Sequence, residues 1–239
     1  MLLVWLLAGL AVAPPPAEQG PVRVLVVTGG HDFERAPFEA MWRSMQGIEW
    51  REAAHPAAHA EWRPEASRRW DVLVLYDMPA AIGEEAREDL RRLLRQGKGI
   101  VALHHSLASY PDWPEYEEII GGRFLLAPRT VNGVHQPASR FQHDVRFDVR
   151  VADRRHPVTR GVDDFTIVDE TYGGFVVSPG VRPLLTTTEA TSGPTIGWAK
   201  TSGRSRVVYL MLGHGPTAYE HPAYRRLVHQ AILWVARRR

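Results

Sequence analysis

Three short apolar runs constrain the fold most. Residues 22–27 (VRVLVV), 71–76 (DVLVLY) and 100–103 (IVAL) are almost continuously hydrophobic. Each is shorter than an ordinary buried helix and lacks the alternation of a half-exposed strand. Each therefore reads as a strand covered on both faces. They run into Thr28-Gly29-Gly30, Asp77 and His104-His105. Helical patterns lie between them. Phe38, Met41, Trp42 and Met45 recur at helical spacing within residues 37–46, and residues 84–96 (EEAREDLRRLLRQ) form an amphipathic repeat stopped by Gly97 and Gly99. Residues 48–53 add another expected strand. Strand and helix alternating over short connections specify an α/β parallel sheet with helices on both faces.

The second half changes period. Val145, Phe147, Val149 and Val151 alternate with Arg146, Asp148 and Arg150, the two-residue repeat of a half-exposed strand. Further strands are expected at 165–168, 181–187, 195–199 and 206–211, the last two joined by a hairpin-like stretch at 200–205. Residues 222–238 read as a closing helix with Tyr224, Leu227, Val228, Ala231, Trp234 and Val235 as its core stripe. The expectation is one domain over residues 21–239, with an antiparallel elaboration after the fourth parallel strand.

Residues 1–20 are set apart as a signal peptide and linker. MLLVWLLAGLAVA carries no charged side chain and is broken by Pro14-Pro15-Pro16. It is shorter than the roughly 20 residues that span a bilayer. Ala11-Val12-Ala13 has the small-residue pattern of a signal-peptidase site. Cleavage would make the protein periplasmic or secreted, and retention would leave it membrane-anchored.

Cysteine is absent, whereas histidine occurs 11 times. Disulfides, thiolate metal sites and cysteine nucleophiles are thereby excluded. Histidine is the commonest acid–base group and metal ligand. The net charge is +2, from 29 basic and 27 acidic residues. No basic stripe with interleaved aromatics appears, so no nucleic-acid partner is expected.

In an open α/β sheet, ligands bind beyond the carboxyl ends of the strands. That rim would carry Gly29-Gly30-His31-Asp32, Asp77, His104-His105-Ser106 and Gly213-His214-Gly215. His31 and Asp32 could clamp a substrate or form a His–carboxylate pair; otherwise His31 is a loop residue bonded to backbone carbonyls. His104 and His105 are adjacent on an extended strand end, so one should face the cleft and the other pack away. Ser106 has no GxSxG setting, which speaks against a serine hydrolase. Asp169 and Glu170 should likewise diverge after the strand at 165–168. One would act as base or ligand and the other make a structural hydrogen bond. His214, between two glycines, is the most suggestive single position, because glycines permit close approach. Tyr172 and Trp198 could stack on a sugar face, although a strand Trp is more often core. His135, His143 and His156 fall in the middle insertion, His156 as loop structure; His55, His59 and His229 read as incidental.

The ordered segments VLVVTGGHDF (24–33), YDM (76–78), GKGIVALHHS (97–106), DWPEYEEIIGGRF (112–124), HPVTRGVDDFTIVDETY (156–172) and GRSRVVYLMLGH (203–214), with ILW at 232–234, resemble the ThuA-like (trehalose-utilisation) family. That family lies within the class I glutamine-amidotransferase-like superfamily. The resemblance implies a flavodoxin-like parallel sheet. It also implies that His104 stands where the superfamily's glutaminases place a cysteine nucleophile, so amidotransferase chemistry is excluded. Relatives often carry a histidine after the GGRF segment, where this chain has Leu125-Leu126-Ala127-Pro128; His135 is the candidate replacement.

The resemblance further implies a sugar substrate related to trehalose and a partner sugar oxidoreductase that makes 3-keto sugars. A 3-keto group acidifies the neighbouring C–H, and the glycosidic bond can then leave by elimination. On this reading His104, His214 and Glu170 are catalytic, with His104 as base and the other two as acid or metal-binding partners. His31, Asp32, His105, Tyr172 and Trp198 bind substrate. A divalent metal on His31, His104, His214 and a carboxylate would supply the electrophile. The expected activity is that of a hydrolase or lyase acting on glycosides, in a chain open to homo-oligomerisation. Two other readings stay open: a non-catalytic sugar-binding module and a metal-dependent hydrolase of unoxidised glycosides.

Overall fold

The computed structural model describes residues 20–238. The expected signal peptide and linker, residues 1–20, lie outside the described residues except for Gly20. Among the described residues, no helix is long and apolar enough to cross a membrane.

The apolar runs form β1 (Val22–Gly29), β3 (Val72–Asp77) and β4 (Gly99–Leu103), and β3 and β4 are buried at every position. The edge strand β2 (Ile48–Ala54) is half-buried. Helix α1 (Arg35–Arg43) starts and ends earlier than the periodicity predicts. Ser44 closes it by bonding back to the Met41 carbonyl at 2.7 Å, while Met45 still packs into the core. Helix α2 (Glu84–Gln96) matches its expected span. It buries Ala86, Leu90, Leu93 and Leu94 and ends at Gly97, whose φ of 83° is the left-handed cap.

After β4 come a 3-10 turn (His104–Ala108) and α3 (Pro114–Ile120). The short β5 (Gly122–Arg123) and the hairpin β6 (Arg129–Val131) and β7 (Val134–Gln136) follow. The half-exposed strand β8 runs over Arg140–Val151, longer than the alternation indicates, and pairs with β9 (Phe165–Gly173). Strand β9 extends past the expected residue 168, so Asp169, Glu170 and Tyr172 lie within it rather than after it. Short β10 (Val176–Val177) pairs with β5, and then come β11 (Arg182–Thr186), β12 (Thr195–Ser202) and β13 (Ser205–Leu210). The β12–β13 connection is a tight hairpin turn at Gly203-Arg204, with Ser202 paired to Ser205.

The chain ends in α4 (Pro216–Tyr219) and α5 (Pro222–Val235). The α5 stripe holds except at Trp234, which is only half-buried beneath the Arg206 guanidinium; Ile232 takes the core position.

The central sheet has nine strands in the order β2-β1-β3-β4-β13-β12-β11-β8-β9. The first five are mutually parallel, and the last four continue antiparallel from β13. Right-handed crossovers run outward in opposite directions from β1, which places α1 and α2 on opposite faces. Helix α5 packs on β4 and β13. A Cβ on Gly99 would lie 2.6 Å from the Val235 carbonyl oxygen, so this approach requires glycine. The order reverses at β1, and a crevice opens there beyond the carboxyl ends of β1 and β3.

Candidate functional site

At the end of β4 the backbone turns sharply. His104 adopts φ of 49°, a left-handed conformation uncommon for a residue with a side chain. The turn drives its imidazole under the rim, where it is 0% exposed. His104 Nδ1 lies 2.6 Å from the Met211 carbonyl oxygen. That acceptor requires an N–H on Nδ1, so Nε2 is the ring nitrogen turned to the interior. Around Nε2 lie Glu170 Oε2 at 2.9 Å, Tyr172 Oη at 2.9 Å and His214 Nδ1 at 3.2 Å. His214 Nδ1 is also 3.3 Å from Glu170 Oε2.

Asp169 and Glu170 diverge as strand geometry demands. Asp169 points under the β13 loop, where its carboxylate accepts N–H bonds from Gly213 (2.7 Å), His214 (3.0 Å) and Glu170 (2.9 Å). The opposite side of this loop is held by tyrosines. Tyr76 Oη donates to the Gly213 carbonyl at 2.8 Å and Tyr219 Oη to the His214 carbonyl at 3.1 Å. His214 is thus fixed through its backbone on both sides.

Glu170 is surrounded by imidazoles. Burial disfavours its charge, but hydrogen bonds from His104 and His214 outweigh that cost and hold its carboxyl well below the usual range. The His214 imidazole is raised above its ordinary value, chiefly by its hydrogen bond to Glu170 and against its partial burial. Asp169 moves the other way: burial raises its carboxyl despite the nearby His104 and the three backbone donors.

His104 Nε2, Glu170 Oε2 and His214 Nδ1 form a triangle with edges of 2.9, 3.2 and 3.3 Å. Two donors each about 2.1 Å from one cation are about 3.0–3.4 Å apart at octahedral or tetrahedral angles. The triangle therefore fits a first-row divalent ion, and two imidazoles with one carboxylate are a suitable N/O donor set. This set differs from the expected one, because His31 is not part of it. His31 instead stacks on His105, with ring centroids 4.5 Å apart, and its Nδ1 bonds the Asp32 carbonyl at 2.7 Å.

The remaining expected residues separate. Of the adjacent pair, His105 lines the cleft, whereas His104 is buried behind it against Glu170 and His214, so one faces the cleft and the other packs away. Burial, then His104 and His31, push the His105 imidazole well below its ordinary value. Tyr172 lines the cleft but is nearly buried, its ring stacked on His104. Asp32 is exposed and lines a neighbouring cleft with Arg35. Trp198 is not at the rim. It is fully buried, with its indole N–H donated to the Ile120 carbonyl at 2.8 Å, so it cannot stack on a ligand.

Two groups escape the sequence reading. His143 Nδ1 approaches Glu170 Oε1 at 3.2 Å, in the role expected of His135, which sits exposed on β7. A β-bulge between Gln142 and Val145, with Asp144 at φ of 56°, aims the His143 ring at Glu170. Alternation cannot be carried through such a bulge, so the sequence offers no signal for it. His55, which reads as incidental, bonds the fully buried Asp77 at 2.8 Å. Burial raises the Asp77 carboxyl, with His55 opposing, and Asp77 Oδ1 has no partner.

The sheet order and the histidine-lined rim define an α/β protein with a large, mostly parallel sheet and a thiol-free candidate site. The family model for ThuA, trehalose utilisation, matches residues 23–235, and the chain belongs to that family, a carbohydrate protein related to trehalose utilisation. A ThuA-like protein from Parabacteroides merdae ATCC 43184 superposes with a TM-score of 0.75 at 16% identity, over 90% of each chain. One from Bacteroides uniformis ATCC 8492 gives 0.65 at 17% identity, over 93% of this chain and 95% of the other. A cytoplasmic protein from Salmonella typhimurium shares the fold at a TM-score of 0.62 and 13% identity, over 89% of this chain and 98% of the other. No curated protein sequence matches the chain.

Proposed function

We propose that the protein is a carbohydrate-processing enzyme that cleaves a 3-keto-disaccharide or 3-keto-glycoside by histidine acid–base chemistry. The observation that carries this reading is the His104–Glu170–His214 cluster, set at the carboxyl rim beside a cleft that reaches Glu170. A divalent cation on these three residues would polarise the 3-keto oxygen and stabilise the enediolate charge. His104 is too buried to meet a substrate directly and is better suited to hold the cation or to position His214. His31 is the better base: the Asp32 carbonyl takes its Nδ1–H, which leaves Nε2 free, and the ring lines the cleft. It would remove the C2 proton next to the ketone. The electron pair then forms the C1–C2 double bond as the C1–O bond breaks. The departing oxygen takes a proton from His143, the half-exposed imidazole beside Glu170 that is outside the cation set. Addition of water to the enone completes hydrolysis. A partner oxidoreductase would supply the 3-keto substrate.

The test is turnover of paired 3-keto and unoxidised disaccharides by purified protein, before and after chelation, with metal analysis. The expected result is cleavage of the 3-keto sugar alone, falling by about a hundredfold or more in Glu170→Gln and His31→Ala. Wild-type rates in both variants would overturn the assignment. Chelator-sensitive turnover of the unoxidised sugar would mark a metal-dependent hydrolase, and tight binding without turnover a sugar-binding module.

A further inference from the structure

A cleft of about 150 Å³ shares Glu170 and His143 with the histidine cluster. Apart from His31, its other walls are apolar or aromatic. Met78 and Ala108 come from the β3 and β4 ends, Phe124 stands edge-on to Tyr172 at 4.9 Å, and Leu126 and Phe141 form the mouth. Leu126 is 51% and Phe141 59% exposed, so two large hydrophobic side chains that line the cleft also face water. Phe141 stands edge-on to His143 at 5.2 Å, which joins this mouth to the cluster. The floor includes His105, a buried ring stacked on His31 with centroids 4.5 Å apart, so the two present aromatic surface to the cleft.

These walls discriminate between ligands. A second sugar in this cleft would bring several hydroxyls against carbon surfaces with few hydrogen-bonding partners. A flat apolar ring would lose nothing. A cavity of about 150 Å³ lined by Leu, Ile and Phe is of the size that binds one benzene ring. Aromatic walls standing edge-on suit an aromatic guest.

We propose that this cleft is an aglycone site for one aromatic ring, so that the substrate class is an aryl glycoside, with its sugar over the cluster and its aryl group between Phe141 and Leu126. This rests on the glycoside-processing reading above and narrows it.

The test measures binding without turnover. Phenyl β-D-glucoside, methyl β-D-glucoside, trehalose and phenol are titrated into the full chain by calorimetry, with saturation-transfer NMR to locate the bound protons. Phenyl glucoside is expected to bind at least about tenfold more tightly than methyl glucoside or trehalose, with phenol competing for its aryl part. Leu126→Asn combined with Phe141→Ser should abolish the preference. Both positions are exposed, and a denaturation curve verifies that the variant folds. Equal affinity for phenyl and methyl glucosides, tighter binding of trehalose, or an aryl preference that survives the double substitution would each overturn the proposal. Cleavage of a 3-keto-disaccharide without aryl preference would sink this inference and leave the broader function standing. Aryl preference with no cleavage of any 3-keto glycoside would do the reverse.

Discussion

Gly213 is the residue on which the placement of His214 turns, and replacing it tests the loop geometry directly. Its φ is 119°, and a Cβ there would fall 2.2 Å from Tyr224 Oη and 2.9 Å from Tyr224 Cζ. Two costs follow for Gly213→Ala. The backbone conformation is unfavourable for an L side chain, at about 1–3 kcal/mol. The collision with a fully buried tyrosine adds about 1–3 kcal/mol of overpacking. The sum is about 2–6 kcal/mol, or about 5–20 °C in Tm for a domain of this size. The Tyr224 hydroxyl is buried without a hydrogen-bond partner. Tyr224→Phe alone should therefore be neutral to within about 0.5 kcal/mol, or slightly stabilising. In the double variant the 2.2 Å contact disappears while the 2.9 Å contact and the strained φ remain. The pair should recover about 1–2 kcal/mol relative to additivity. Urea denaturation of the four proteins closes this cycle. If Gly213→Ala costs less than about 0.5 kcal/mol, or costs as much in the Tyr224→Phe background as in the wild type, the steric account of the loop is wrong.

Three other predictions concern the site and its supports. In metal-free protein, the depressed Glu170 carboxyl stabilises the fold above its unfolded value of about 4.3, and this is lost as pH falls. The raised His214 stabilises below its unfolded value of about 6.5, and this is lost as pH rises through its folded value. The stability difference between wild type and Glu170→Gln, from urea midpoints, should therefore peak between about pH 4.5 and 6.5; a flat profile would rule out the ion pair. His55→Phe leaves the buried Asp77 carboxylate without its partner and should cost about 3–5 kcal/mol at pH 8. The cost should shrink toward pH 5 as Asp77 takes up a proton, and denaturation at the two pH values checks this. Trp198→Phe removes the bond to the Ile120 carbonyl and should cost about 1–3 kcal/mol, with glycoside affinity in calorimetry unchanged.

Much of the site is legible one residue at a time. His104 and His214 stand out because strand ends are recognisable from apolar runs, and the rim rule says where to look. The divergence of Asp169 and Glu170 follows from strand periodicity alone, and it survives even though β9 runs further than its apolar part. The failures have local physical causes. His143 lies beside a bulge, and a bulge destroys the parity from which facing is inferred. Trp198 reads as a possible sugar platform although a strand Trp is more often core, and core is what it becomes, because α3 covers the strand through the indole bond to Ile120.

The sequence by itself determined the parallel α/β half, the absence of thiol chemistry and the histidine-rich rim. Continuous apolar runs, a zero cysteine count and strand-end residues are local properties, and a local reading recovers them. Only the tertiary structure decided which histidines meet. Glu170 on β9 lies at the far edge of a nine-stranded sheet in hydrogen-bond order, yet the β8–β9 ribbon brings it to 2.9 Å from His104 at the end of β4. That contact depends on the length, twist and bulge of two paired strands. So do the apolar walls that Leu126 and Phe141 place beside it, because residues distant in sequence share a site only when the sheet has curved to bring them together.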